Sequence, residues 1–191
     1  MLWVAFFMLM FSVYFSLSWT PKLLVEAGLS ARQGVTGAVL LNLGGILGGS
    51  LFGALAVRLK LRRLAVGSLV LYALLTALFG VAAVNGLAFA FACAFVMGIF
   101  LFASMAGLYG LVPATYPATV RVTGMGWAIG VGRMGAIVAP LMAGVLLDAG
   151  WRPPSLYYAY AVPLLAAALA VVLMGLAREP RDLGRVQAAA R

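Results

Sequence analysis

One arginine stands inside a long apolar stretch, in the string GWAIGVGRMGAI, where it is Arg133. A charge at the centre of a membrane span costs roughly 2.5–3.5 kcal/mol on insertion scales, so such a residue normally faces a cavity or a partner. The guanidinium binds a carboxylate through two parallel hydrogen bonds, which makes a carboxylate ligand one candidate partner. The alternative is a structural arginine that snorkels or donates to backbone carbonyls. The chain's own carboxylates are predicted in loops, at a helix end or in the tail: Glu26, Asp148, Glu179 and Asp182.

The helix predicted around Arg133 has two distinct faces when successive residues are placed about 100° apart. One face carries Thr123, Gly126, Gly130, Arg133, Ile137 and Gly144. The other face is small throughout and carries Gly124, Ala128, Gly132, Gly135 and Ala139. We predict that the small face packs against another helix and that the first face is open around the guanidinium.

Four further residues are candidates for lining a binding site with Arg133, namely Tyr14, Asn42, Tyr109 and Trp127. Trp127 lies beside the predicted open face. Asn42 is the only amide inside a predicted helix, and it binds either a ligand or a neighbouring helix. Three serines in predicted helices are additional candidate cavity liners, namely Ser12, Ser16 and Ser104. Packing is the alternative role for each of these side chains.

The composition excludes a soluble globular enzyme and a disordered chain. Of 191 residues, 65% are hydrophobic and 9% are charged, whereas a soluble domain has ~45–50% apolar and ~25% charged residues. The net charge of +9 comes from a few short stretches, which favours topology signals over nucleic-acid binding. With no His and one Cys, Cys93, the chain can form no internal disulfide and no His/Cys metal cluster, and no cofactor is predicted. A membrane enzyme is disfavoured because no paired acid and base is present.

Six apolar runs follow one another along the chain, at about residues 2–19, 35–57, 64–84, 87–112, 122–147 and 156–177. Each approaches or exceeds the ~20 residues that a membrane-spanning helix needs. The gaps contain helix breakers, Pro21 and Pro113 among them. The first run lacks the basic start and the cleavage site of a signal peptide. The sequence therefore predicts an all-α membrane protein, with a six-helix bundle over residues 1–177 and a basic tail over residues 178–191.

The distribution of Lys and Arg predicts the orientation of this bundle. Nine lie on one side, in the gap at residues 58–63, at Arg121 and in the tail, and three lie on the other, at Lys22, Arg32 and Arg152. The positive-inside rule therefore places both termini in the cytoplasm. We expect a multi-pass protein of a bacterial inner membrane.

The second and fifth runs are rich in glycine, and each is the middle helix of a group of three. Gly45, Gly49 and Gly53 form a ridge at a spacing of four residues, and Gly44 with Gly48 lies alongside. Such ridges let helix backbones approach closely in lipid. Two groups of three helices with opposite orientation are typical of an inverted repeat in transporters.

The stretch GALAVRLKLRR, residues 53–63, resembles the cytoplasmic loop motif G-x-L-x-D-R-x-x-x-R-R of the major facilitator superfamily. Gly53, Leu55, Arg58, Arg62 and Arg63 match, but Val57 replaces the acidic residue. The resemblance implies half of a twelve-helix fold and a loop that latches onto neighbouring helix ends during transport. Without the acidic residue, a latch based on charge pairing within the motif is put in doubt.

Two longer stretches, SWTPKLLVEAGLS and YPATVRVTGMGWAIGVGRMGAIVAP, resemble the aromatic acid:proton symporter family. This resemblance implies uptake of a small aromatic carboxylate with protons, and it matches Arg133 to the family's intramembrane arginine. It also implies an N-terminal six-helix half that carries membrane carboxylates for proton coupling. Since Met1 falls near the expected start of a seventh helix, we expect a truncated gene, a split coding region or a partial sequence.

Two alternatives stay open at this point. The chain is either half of such a transporter or a membrane remnant that pairs with other helices without transport. A half of a carrier for another small carboxylate, such as muconate or nicotinate, is a variant of the first. Six further helices encoded upstream would favour a transporter.

Overall fold

The computed structural model describes residues 1–26, 28–82 and 86–176, and within them the chain forms six long helices and no strand. The helices are α1 (Leu2–Glu26), α2 (Ala31–Ala56), α3 (Leu61–Ala82), α4 (Leu87–Thr115), α5 (Arg121–Asp148) and α6 (Pro153–Leu176). Each of these six is long and apolar enough to cross a membrane. The prediction of an all-α fold with six membrane helices is therefore confirmed. The tail predicted over residues 178–191 lies outside the described residues.

Two prolines expected between helices lie inside them, which corrects the predicted ends of the first and fourth spans. Pro21 is in α1 and Pro113 is in α4. A proline removes one helical hydrogen bond, and neighbouring groups in a membrane bundle can satisfy the freed carbonyl. The turns instead use glycines with positive φ, at Gly28 (100°) and Gly150 (86°), a conformation that glycine adopts without steric cost.

The contacts between helices have the symmetry of two exchangeable three-helix units, α1–α3 and α4–α6. The most extensive contacts join α2 with α4, α1 with α5, α3 with α6, α3 with α4, and α1 with α6. Exchanging α1 with α4, α2 with α5 and α3 with α6 converts this set of pairs into itself. The pattern is the one expected for a 3+3 repeat, in which the glycine-rich middle helices α2 and α5 occupy equivalent positions.

Close packing of α2 on α4 depends on one of its two glycine ridges. A methyl group added at Gly44 or Gly48 would collide with the backbone of Phe95 or Ile99 in α4. Gly49 and Gly53 have open space beside them. The sequence predicted both ridges; in the structure the ridge with Gly44 and Gly48 makes the backbone contact, and Gly45 of the other ridge lies against the Phe102 ring. Helical periodicity finds both ridges, but only the partner helix selects between them.

A buried ladder of hydroxyl groups joins α1 to α3 and α6. The Ser16 and Tyr72 hydroxyls lie 2.9 Å apart, and those of Thr20 and Tyr157 lie 3.1 Å apart. Ser12 donates to the backbone carbonyl of Tyr160 at 2.7 Å. These bonds satisfy polar groups in the bundle interior, where water is absent. Ser12 and Ser16 are therefore packing residues and not cavity liners.

Candidate functional site: an intramembrane arginine

The predicted site residues Arg133 and Tyr14 come together between α5 and α1. The Arg133 guanidinium donates a hydrogen bond from Nη1 to the Tyr14 hydroxyl. Its Cζ atom lies 5.7 Å from the centre of the Tyr14 ring. Arg133 is exposed and Tyr14 is half-buried. Among the described residues, no carboxylate lies within 4 Å of the guanidinium, so its remaining donors are available to a ligand.

This pair lies at the depth of the membrane centre. Tyr14 is 12 residues after Leu2, where α1 begins, and Arg133 is 12 residues after Arg121, where α5 begins. At a rise of about 1.5 Å per residue, both lie about 18 Å from the start of their helix. The hydrocarbon layer is about 30 Å thick. The guanidinium is therefore held near the middle of the layer by two helices that run side by side.

The two faces predicted for α5 are observed. The small face is buried, and Gly132 and Gly135 lie against Phe6 and Phe7 of α1. On the other face, Thr123, Gly126, Gly130, Arg133 and Ile137 are all exposed, while Gly144 is half-buried beside Trp19. Close packing of the glycines on α1 thus places Arg133 beside Tyr14 and leaves its outer side open.

Trp127 takes part in a separate aromatic cluster. Its ring stacks on Trp3 with the centroids 5.9 Å apart, and Trp3 Nε1 donates to the Tyr116 hydroxyl at 3.0 Å. Since six residues of helix span about 9 Å, the cluster lies about two turns from Arg133, towards the starts of α1 and α5. The sequence indicated Trp127 but not Trp3 or Tyr116, since their association depends on how α1, α4 and α5 pack.

Asn42, Tyr109 and Ser104 have their described contacts with groups other than the guanidinium. The Asn42 amide donates to the carbonyl of Ala38 in its own helix at 2.8 Å. Tyr109 packs edge-on against Phe6, with ring centroids 5.4 Å apart. Ser104 is buried and donates to Phe100 within α4. Of the candidates, Tyr14 alone forms a described hydrogen bond with Arg133.

The basic loop between α2 and α3 is short, and its cations diverge. Residues 57–60 connect the helices, so Arg62 and Arg63 belong to the first turn of α3. Helix C-termini favour cations and N-termini disfavour them. Arg58, which directly follows the C-cap Val57 of α2, is the cation best placed to complement a helix C-terminus. Arg62 lies against Gly175 in α6, and Arg58 lines a groove among α2, α3 and α4. Arg63 lines that groove and also the one between α3 and α6 that contains Arg62.

The fold and the site define an integral membrane protein that is built from two exchangeable three-helix units. It carries an exposed arginine, Arg133, near the middle of the membrane. The chain belongs to the major facilitator superfamily, whose family model matches residues 1–191.

Several transporters are similar to this chain. The 3-(3-hydroxy-phenyl)propionate transporter of Escherichia coli (strain K12) is 33% identical over 174 residues, which are 91% of this chain and 43% of that protein. The gallate transporter of Pseudomonas putida is 30% identical over 93% of this chain and 39% of its own length. The benzoate transport protein of Acinetobacter baylyi (strain ATCC 33305 / BD413 / ADP1) is 32% identical over 78% of this chain and 31% of its own length. The chain thus spans less than half the length of these relatives.

Proposed function

We propose that this chain is the C-terminal half of a secondary transporter that takes up small aromatic carboxylates together with protons. The observation that carries the proposal is the exposed Arg133 guanidinium at mid-membrane depth, with no described carboxylate within 4 Å. A substrate carboxylate supplies the missing anion. The names of the relatives, which refer to hydroxyphenylpropionate, gallate and benzoate, support an aromatic acid.

Tyr14 adds a second donor for the same carboxylate. Its oxygen accepts a hydrogen bond from Arg133, so its own O–H is free to donate to a ligand. A carboxylate beside the pair accepts from the guanidinium through one oxygen and from the phenol through the other. The site therefore selects a planar anion over an uncharged molecule of the same shape, because an amide cannot match both donors.

A second six-helix half covers the faces that α2 and α5 leave open. These two helices are less buried than the other four described spans, and their outward side chains include Ile46, Ile137 and Val145, each more than 60% exposed. The open face of α5 also carries Arg133, so the substrate lies between the halves. Rocking of one half against the other gives alternating access.

Proton coupling depends on the other half. The side chains that meet at this site are an arginine and a tyrosine, and neither is a carboxylate or a histidine, the groups that form proton relays within transporters. We propose that membrane carboxylates of the N-terminal half take up the proton, and that the loop residues Gly53, Arg58, Arg62 and Arg63 act as a latch on the cytoplasmic side.

Co-expression tests the requirement for two halves. The 191-residue chain is expressed alone and together with the first six helices of the Escherichia coli relative, and accumulation of labelled 3-(3-hydroxyphenyl)propionate is measured with and without an uncoupler. Uncoupler-sensitive accumulation is expected only with both halves. Such accumulation by this chain alone would contradict the proposal, and so would its absence from cells in which the two halves co-purify as a folded complex.

A further inference from the structure

A groove on the side of the bundle combines an apolar floor with a basic end. It lies among α2, α3 and α4, and its volume is about 550 Å³, within the range of roughly 300–1,000 Å³ typical of ligand pockets. The apolar part is lined by Leu51, Leu55, Leu64, Leu71, Ile99 and Phe100. Arg58, Lys60 and Arg63 line the end near the α2–α3 loop. We call it the basic-rimmed groove.

The three cations of this groove have no described counter-charge. All three are exposed, and within residues 1–26, 28–82 and 86–176 no carboxylate lies within 4 Å of them. Val57, which replaces the acidic residue of the loop motif, is 88% exposed beside them. Arg63 also lies in the first turn of α3, where the helix dipole adds further positive potential. The end of the groove is therefore strongly attractive to an anion.

Charge and apolar surface follow the same order along this groove as in a phospholipid. Leu71 comes eight residues after Arg63 on α3, which places it about 12 Å deeper along the helix. The groove thus offers cations at the depth of lipid headgroups and apolar side chains at the depth of acyl chains. Leu71 of α3 is 43% exposed, so the groove is open on its α3 side.

A second groove provides an internal comparison. It lies among α1, α5 and α6 and has a volume of about 390 Å³. Exchange of the two three-helix units relates these helices to α4, α2 and α3. Phe11, Met142, Leu146 and Pro163 line it, and none of its lining residues is charged. Both three-helix units thus contribute a groove of this kind, whereas only one of the two grooves has a basic end. We call this second one the apolar groove.

We propose that the basic-rimmed groove binds an anionic glycerophospholipid. Its phosphodiester lies against Arg58, Lys60 and Arg63, and one acyl chain lies along Leu64 and Leu71. Basic pockets between membrane helices on the cytoplasmic side bind anionic headgroups by this combination of charge and apolar contact. The site is distinct from the one at Arg133, and it shares Arg58 and Arg63 with the proposed latch.

Photo-crosslinking tests the proposal on the full chain in phosphatidylcholine bilayers. The probes are phosphatidylglycerol and phosphatidylcholine that carry a diazirine in one acyl chain, used at equal mole fraction, and labelled peptides are mapped. We expect phosphatidylglycerol to label the basic-rimmed groove roughly tenfold more than phosphatidylcholine, and both probes to label the apolar groove equally. Equal labelling of the basic-rimmed groove by the two probes would overturn the proposal.

Variants separate the roles of charge and groove shape. Replacing Arg58, Lys60 and Arg63 together by Gln should abolish the preference for phosphatidylglycerol, whereas Arg121→Gln, which removes a cation elsewhere, should retain it. Leu71→Trp, which fills the groove and keeps the charges, should lower labelling there but not in the apolar groove. Retention of the preference in the triple variant, or undiminished labelling of Leu71→Trp, would contradict the proposal.

Two measurements on the unaltered chain need no variant. Raising the NaCl concentration should reduce the preference for phosphatidylglycerol, because salt screens exposed charges. An excess of glycerol 3-phosphate should leave labelling unchanged, because it lacks an acyl chain. Displacement by glycerol 3-phosphate would assign the site to a soluble phosphate, and a preference insensitive to salt would show that charge does not determine it; either result would overturn the proposal.

Discussion

At the scale of single residues, the Arg133–Tyr14 pair combines a guanidinium with a phenol hydroxyl at one position. The guanidinium fixes the sign of the ligand, and the phenol, held by its bond from Nη1, fixes where the second carboxylate oxygen lies. Neither role requires a titratable group at the site. Binding of the acid and its coupling to protons are therefore separable in this account.

Tyr14→Phe tests the second donor. The substitution keeps the ring beside Arg133 and removes only the hydroxyl. Because hydrogen bonds to charged groups contribute about 1.5–3 kcal/mol, we expect binding of an aromatic acid to weaken roughly 10- to 100-fold. Transport of the acid by the complete two-half protein is measured at several concentrations to obtain KM. Tyr109→Phe is the matched control, since its described contact is a ring contact with Phe6. An unchanged KM for Tyr14→Phe would remove Tyr14 from the site.

The sequence predicted that Arg133 is open, but it could not identify its partner. The open face follows from the period of α5, because every third or fourth residue on the opposite side is Gly or Ala. The partner depends on the register of α5 against α1. That register is set where Gly132 and Gly135 meet Phe6 and Phe7, and this contact joins residues far apart in the chain.

At the scale of elements, backbone contacts at glycines hold the two three-helix units together. Gly44 and Gly48 of α2 lie on α4, and Gly98 of α4 lies against the backbone of Leu41 in return. Hydrophobic burial gives little net drive between helices in lipid, so close packing of this kind is a main source of stability.

Gly48→Ala and Gly49→Ala form a matched pair that tests this contact. The new methyl at residue 48 collides with the Ile99 backbone, whereas the one at residue 49 has open space. We expect Gly48→Ala to lower the free energy of unfolding by about 1–3 kcal/mol. Gly49→Ala should leave it unchanged or raise it by up to about 1 kcal/mol, because alanine is the better helix former. Unfolding of each variant by SDS in mixed micelles gives the comparison, and equal stabilities would show that α2 does not pack on α4 in this way.

The ends of helices could not be predicted from the positions of prolines. Pro21 and Pro113 are strong local breakers, but the surrounding bundle keeps α1 and α4 helical through them. The start of α2, in contrast, has a local sequence signal. Ser30 and Gln33 form a capping box with hydrogen bonds of 2.8 Å and 3.3 Å, and its pattern S-x-x-Q can be found in the sequence. A helix cap is formed by residues close together in the sequence. Whether a proline ends a helix depends on the residues that surround it in the fold.

At the scale of the whole molecule, the number of spans and their grouping were predictable, because membrane helices follow from length and apolarity. The exchange of α1–α3 with α4–α6 explains why the bundle has two related grooves and two related glycine-rich helices. The basic end of one groove breaks this symmetry. The cations at that end carry the proposed lipid site and are three of the nine Lys and Arg from which the orientation is predicted.

Reporter fusions test the orientation. The predicted nine-to-three distribution of Lys and Arg across the two sides places the α2–α3 loop in the cytoplasm. An alkaline phosphatase fusion after Arg63 should therefore be inactive, and one after Gly150 should be active. A green fluorescent protein fused at the same two positions should give the reverse pattern. The opposite result with both reporters would invert the bundle and place the basic-rimmed groove at the outer surface.

Binding of the substrate carboxylate by the Arg133 guanidinium is the core of the proposed function. Its most direct test is transport per folded molecule by the complete two-half protein, for an aromatic acid and for its uncharged amide, with Arg133→Lys, Arg133→Ala and Arg152→Ala as a loop control. We predict that Arg133→Lys, which keeps the charge but loses the two-pronged geometry, lowers the rate of acid transport at limiting substrate by a factor of about ten or more. Arg133→Ala should lose acid transport while its folded abundance is maintained, because the insertion cost of the charge is removed as well. Reduced abundance with unchanged transport per molecule would mark a structural arginine, and acid transport by Arg133→Ala at the parental rate per folded molecule would contradict the claim.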